Sequence, residues 1–116
     1  MPSQRVIGEL GQGFKIALHV LELFRIDAAA LLVYRAAWQH DATEQSISRE
    51  AAIAKLYSSE TAFDIIDQAV QIFGGLGVTR GATVERLFRH SRAFRIFDGT
   101  SEIQQLIIAR SLLQNR

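Results

Sequence analysis

Apolar residues recur along this chain at steps of three and four, the spacing that places them on one face of a helix. In residues 14–41 the recurring set is Ala17, Leu18, Leu21, Phe24, Ala28, Leu31, Leu32, Tyr34 and Trp38. In residues 46–73 it is Ile53, Leu56, Phe63, Ile66, Val70 and Phe73, with Ser46 or Ser48 available as an N-cap and Gly74 where a left-handed C-cap is wanted. A shorter helix is expected over residues 84–92, turning Val84, Leu87 and Phe88 inward. A last one is expected over residues 101–113, where Ser101 and Gln104 have capping-box spacing. Tyr34 and Trp38, four apart, are expected to pack in the core. The eight glycines cluster at 8–13, 74–81 and 99, between these stretches, and the only proline is Pro2. No stretch reads as a strand pair and no repeat or low-complexity tract is visible. The pattern predicts an all-α helical bundle.

Composition narrows the possibilities without choosing among them. At 116 residues the chain is expected to form one domain over 1–116, with a single modest core. Hydrophobic content of 48% and charged content of 22% are ordinary for a globular protein. A formal charge of +1 gives no general attraction to nucleic acid or to an anionic membrane. The absence of cysteine excludes disulfides, thiolate metal sites and cysteine nucleophiles, so redox chemistry does not fix the compartment and the cytoplasm is the default expectation. Residues 1–13 are polar and glycine-punctuated, unlike a secretory signal. The most apolar run, residues 26–38, is interrupted by Asp27 and Arg35 and is shorter than a membrane span, so a soluble chain is expected.

Two short motifs carry chemistry. Arg95-Ile96-Phe97-Asp98-Gly99-Thr100-Ser101-Glu102-Ile103-Gln104 puts a carboxylate on an Asp-Gly turn directly before a helix whose first N–H groups are free to hold an anion or a cofactor edge. Asp98 is either a base or simply part of a turn. Upstream, Gln71-Ile72-Phe73-Gly74-Gly75-Leu76-Gly77 is either a phosphate-approach site, where glycine lets backbone N–H groups come close, or a helix C-cap and loop. Thr100 and Ser101 are candidate N-caps, with Glu102 complementing the helix dipole. Arg86, Arg89, Arg92 and Arg95 form a basic stripe beside His90, better read as a solvated face paired with acids such as Glu85 than as a nucleic-acid surface. His19, His40 and His90 lack metal-ligand spacing, so no metal site is expected, and the serines lack a neighbouring base.

Together the two motifs resemble the C-terminal end of the acyl-CoA dehydrogenase family, flavin enzymes that oxidise acyl-CoA thioesters. Residues 6–25 (VIGELGQGFKIALHVLELFR) resemble the passage from that family's β-domain into its helical bundle, residues 26–41 (IDAAALLVYRAAWQHD) its second bundle helix, and residues 48–114 the remainder. The resemblance implies FAD as cofactor and acyl-CoA as substrate. It places Asp98 at the catalytic base, a position where most members carry glutamate, one methylene longer. It places Gln71, Gly74 and Gly75 at the pyrophosphate of a neighbouring subunit's flavin, Thr100 and Glu102 near the adenine end, and Arg25 and Gly99 with the substrate. Many members carry glutamine at the Glu102 position, and an aspartate is common at that of His90.

The resemblance also exposes a break. In the family the first of these helices runs on, turns at an arginine-rich segment and returns as a second helix. Here Phe24-Arg25 leads directly into Ile26-Asp27, and the flavin-contacting arginine of the turn has no counterpart. The family's N-terminal helical domain and most of its β-domain have no counterpart either. Two antiparallel helices are therefore expected to become one, with a homo-oligomer, domain-swapped or otherwise, covering what they leave open. The competing expectations are a flavin-dependent dehydrogenase segment incomplete for catalysis alone, and a non-catalytic oligomeric bundle or partner subunit of a full-length dehydrogenase.

Overall fold

The computed structural model describes the backbone of residues 2–114 and the side chains of residues 19–114. It contains four α-helices, α1 (Pro2–Ala42), α2 (Ser48–Phe73), α3 (Thr83–Phe94) and α4 (Ser101–Gln114), with a 3-10 turn over Gly74–Val78 between α2 and α3. The bundle is all-α as the periodicity predicts, and no strand occurs among the described residues.

The first helix differs from expectation in length. It starts at Pro2 instead of residue 14 and passes through Gly8, Gly11 and Gly13. Each interior glycine costs about 1 kcal/mol of helix propensity, whereas a proline would cost about 3, and none follows Pro2. It also passes without a break through Phe24, Arg25, Ile26 and Asp27, so the expected fusion into one helix is observed. At 1.5 Å per residue, α1 is about 61 Å long, which accounts for most of the molecule's 65 Å long dimension. The Cα radius of gyration, 18.8 Å, compares with about 13 Å for a compact domain of this length.

α2 is the axle of the fold. Among the described residues α1 packs on α2 alone, while α3, α4 and the 3-10 turn pack on α2 from other sides. The contacts are made by small residues that let helix axes approach: Ala36, Ala52 and Ala54 are the buried apolar side chains, joined by buried Ser59, Thr61, Ser91 and Ser101. Ser59 and Ser91 satisfy their hydroxyls locally, donating to Leu56 O at 3.2 Å and to Phe88 O at 3.0 Å. At the α2–α3 junction Phe63 and Phe88 stack with centroids 5.2 Å apart, and the Arg95 guanidinium lies 5.0 Å from the Phe63 ring centroid.

The large apolar side chains behave differently from their expected core role. Leu21, Phe24, Leu31, Tyr34 and Trp38 are exposed, Trp38 at 67%, and Leu87 is exposed where Val84 and Phe88 are half-buried. Periodicity identifies a helix face but not what covers it, and no described element covers these side chains. At α2 the N-cap position is Ile47, without a side-chain cap; Ser46 Oγ accepts from the Ser48 N–H at 3.4 Å instead. No helix among the described residues is long and apolar enough to cross a membrane.

Candidate functional site

The Asp98–Gly99 turn joins α3 to α4 in backbone geometry that most residues avoid. Asp98 has φ +53° and Gly99 φ +89°. Aspartate tolerates the left-handed region better than most side chains, yet the conformation still costs on the order of 1–2 kcal/mol and persists only where surrounding contacts impose it. Those contacts are specific. Gln104, 7% exposed, turns its amide back to donate to Asp98 O at 2.9 Å and Gly99 O at 3.4 Å. Lys55 of α2 donates to Gly99 O at 2.6 Å. The left-handed φ favours glycine at 99, and a Cβ there would stand 2.7 Å from the Gln104 amide nitrogen and displace that side chain.

A second set of bonds fixes the junction to α2. Glu60 accepts from Arg95 Nε at 2.8 Å and from the buried Ser101 hydroxyl, tying the end of α3 and the start of α4 to one carboxylate. The cap of α4 is Thr100, whose Oγ1 accepts from the Ile103 N–H at 3.4 Å. Despite their capping-box spacing, Ser101 bonds Glu60 of α2 and Gln104 bonds the turn that precedes its own helix. The Glu102 carboxyl is held below the usual carboxylate range, first by its own backbone N–H and then by the Thr100 hydroxyl.

Asp98 lines a groove of about 370 Å³ with Lys55, Ser58, Ala62, Phe94 and Phe97. Ser58 Oγ is buried there without a hydrogen-bond partner among the described residues. The arrangement gives one carboxylate, two aromatic walls and a spare hydroxyl. A larger cavity of about 560 Å³ lies at the α1–α2 turn, between Ser46, Arg49 and the end of α4, and does not include Asp98.

The remaining expected site residues are not gathered round Asp98. Gln71, Gly74 and Gly75 are exposed at the far end of α2, and Gln71 is twelve residues, or about 18 Å along the axis, beyond Ser59. Gly74 has φ +57° and its N–H closes the helix on Gln71 O. Nothing lies within 4 Å of a Cβ built on Gly74 or Gly75, so both positions face open space. Gly77 has another reason to be glycine: a Cβ would lie 2.5 Å from Val70 O.

Arg25 is engaged elsewhere. It donates to Asp64 Oδ2 at 2.7 Å and sits 3.5 Å from Glu22, which in turn accepts from Gln68 at 3.0 Å. The Asp64 bond is the main reason its pKa rises. Asp64 is two residues past Ala62, about 200° round α2, so Arg25 and Asp98 occupy opposite faces of that helix. Within one protomer the substrate-side and flavin-side expectations thus form three separate places: Asp98–Glu102, Gln71–Gly75, and Arg25. In the basic stripe, Arg89 pairs with Glu85, while Arg95 turns inward to Glu60. The residues the sequence did not single out are Lys55, Glu60 and the part Gln104 plays in closing the turn before α4. Lys55 acts on a turn 44 residues away, and nothing in local spacing signals that.

The family model for the C-terminal domain of acyl-CoA dehydrogenases matches residues 11–113. A 3-(aryl)acrylate reductase of Clostridium sporogenes is 43% identical over 90 residues, covering 78% of this chain and 24% of the relative. The mitochondrial short-chain specific acyl-CoA dehydrogenase of Rattus norvegicus is 31% identical over 163 positions, covering 99% of this chain and 39% of the relative. Among solved structures, butyryl-CoA dehydrogenase from Megasphaera elsdenii superposes with a TM-score of 0.73 at 37% identity, over 78% of this chain and 23% of that one. The chain therefore spans about a quarter to two fifths of the length of these relatives. The rat alignment needs 163 positions to place 99% of 116 residues, so roughly 48 of them face gaps in this sequence. The 90-residue alignment over 78% of the chain needs essentially none.

Proposed function

This chain belongs to the acyl-CoA dehydrogenase family, through that family's C-terminal helical domain, and from that premise we propose that it is a flavin-contacting segment of an oxidoreductase acting on acyl-CoA thioesters. The observation that carries the reading is Asp98, held by Gln104 and Lys55 in a left-handed turn at the mouth of an aromatic-walled groove. A carboxylate so placed is suited to take the α-proton of a thioester, and exclusion of water by whatever covers the groove would raise its basicity. FAD supplies the hydride acceptor when bound. Gln71, Gly74 and Gly75, with open space over the glycine backbone, would hold its pyrophosphate. Thr100 and Glu102 would meet its adenine side, and Gly99 the substrate. The distance along α2 between the two places favours one flavin reaching them from different subunits. Arg25, tied to Asp64 on the opposite face of α2, reaches substrate only in an assembly that brings another subunit to it.

A second reading rests on the exposure of the large apolar side chains: a non-catalytic oligomeric bundle, or a partner subunit of a full-length dehydrogenase. Visible absorbance of the purified chain, after incubation with FAD and desalting, separates the two. A retained flavin band, reduced in the variant Gln71→Ala and bleached by acyl-CoA in the wild type but not in Asp98→Asn, supports the enzymatic reading. A fully helical protein that retains no flavin, alone or mixed with a full-length dehydrogenase, overturns it.

A further inference from the structure

We propose that Asp98–Gly99 is a site of self-modification: the Asp98 carboxyl closes on the Gly99 nitrogen and isomerises to isoaspartate, at a rate set by how firmly Gln104 holds the turn. The inference needs only these residues and is independent of the flavin reading. Such a reaction requires a carboxyl open to solvent, a following backbone nitrogen that is not engaged, and no side chain crowding that nitrogen. Asp98 is exposed, and glycine after it puts no Cβ beside the attacking nitrogen. Among the described residues the Gly99 N–H donates no hydrogen bond, whereas on either side of it the Phe97 N–H donates to Ala93 O at 2.9 Å and the Ser101 N–H to Arg95 O at 3.2 Å. The other aspartates, Asp27, Asp41, Asp64 and Asp67, lie within α1 or α2 and are followed by alanine, isoleucine or glutamine. There the next N–H is committed to the helix ladder.

The chemistry balances with water alone. Gly99 N forms a bond to Asp98 Cγ, and the amide proton leaves with the hydroxyl of the protonated carboxyl as water, giving a succinimide ring. Solvent water then adds to one of the two ring carbonyls and breaks its C–N bond. Breaking the bond to Cγ restores aspartate. Breaking the bond to the main-chain carbonyl carbon leaves the chain running through Cβ and Cγ, with the carboxylate directly on Cα. The product has one more main-chain carbon before Gly99 and a carboxylate one carbon shorter, which withdraws it from the groove it lines with Phe94 and Phe97.

The same turn carries the restraint. Gly99 N and the Asp98 carbonyl oxygen belong to one rigid peptide plane, so a bond that holds the oxygen holds the nitrogen. Gln104, 7% exposed, grips that oxygen at 2.9 Å, away from competing water. It also reaches Gly99 O at 3.4 Å, where Lys55 donates at 2.6 Å. Ring closure draws the plane towards the Asp98 side chain and strains these bonds. The reaction therefore proceeds through an opened turn, and its rate follows the population of that opening.

The full chain is aged at neutral pH, folded and in guanidinium chloride, then cut with trypsin. Cleavage after Arg95 and Arg110 isolates residues 96–110, whose aspartyl and isoaspartyl forms have equal mass and separate by reversed-phase chromatography. Isoaspartate is expected in this peptide and not in those carrying the other aspartates. The denatured chain should convert roughly tenfold faster than the folded one, or more. Gln104→Leu, with its helical circular dichroism retained, should convert about fivefold faster than wild type, the effect of losing one buried hydrogen bond. Asp98→Glu should show no product, because its larger imide ring forms far more slowly. A folded chain that converts as fast as the denatured one, a folded Gln104→Leu at the wild-type rate, or equal conversion at another aspartate would each overturn the proposal. If Gln104→Leu loses its helical signal, the comparison of folded with denatured wild type decides by itself.

Discussion

Gln104 and Lys55 hold one turn from two sides, and removing them singly and together should show coupling that can be measured. Gln104→Leu keeps the side-chain volume and deletes the amide that donates to Asp98 O at 2.9 Å. An unpaired buried acceptor costs about 1–3 kcal/mol. Asp98 is exposed, so water offsets part of the loss, and about 1 kcal/mol is expected. Lys55→Met deletes a charged donor to Gly99 O at 2.6 Å. Such bonds contribute about 1.5–3 kcal/mol in protected sites, and at this half-buried residue about 1–2. Gln104 also reaches Gly99 O at 3.4 Å, so either single variant leaves that carbonyl one donor and the double variant leaves none. The double variant should therefore lose about 0.5–1 kcal/mol more than the sum of the singles. The assay is urea unfolding followed by circular dichroism, at fixed protomer concentration so that association contributes equally. Strict additivity, or singles indistinguishable from wild type, would refute the claim that these two side chains impose the Asp98 conformation.

Other expectations follow from single contacts. Gly77→Ala should destabilise by about 2 kcal/mol or more, because its Cβ would press on the Val70 carbonyl; Gly75→Ala, with open space around it, should be within about 0.5 kcal/mol of neutral; equal urea midpoints would contradict this. Glu50, buried against Arg49 at 2.7 Å, has its carboxyl held below the usual range chiefly by that bond. Its contribution is present above the ordinary carboxylate pKa of about 4.3 and is lost as pH falls through the lower folded value, so Arg49→Met should flatten the acid limb of a stability–pH curve. Arg25→Met should cost less than about 1 kcal/mol, since its bond to Asp64 is largely solvated; a loss of several kcal/mol would show that the α1–α2 contact depends on it.

Much of the fold is readable from spacing because each helix carries its own local signals. The ends of α2 and α4 come within two residues of expectation, where serines, glycines and an Asp-Gly turn mark them. The start of α1 is missed because glycine weakens a helix without forbidding it, and Gly8, Gly11 and Gly13 lie inside one. Tyr34 and Trp38 are on the face that periodicity indicates, yet exposed, since no local rule says whether a face has a neighbour. At the site, Asp98, Thr100 and the two glycines at 74 and 75 were marked by residue type. Lys55 and Glu60 were not, because their partners are 44 and 35 residues away in sequence and only the packed helices bring them together.

The use of α2 as a common axle has an energetic consequence. The Arg25–Asp64 contact and the Lys55–Gly99 contact lie on opposite faces of one rigid rod and share no side chain. Perturbations confined to one face should then add to those on the other, with no interaction free energy between them. Such a chain can acquire or lose a binding partner along α1 while the Asp98 turn keeps its geometry, so the two surfaces are free to change independently.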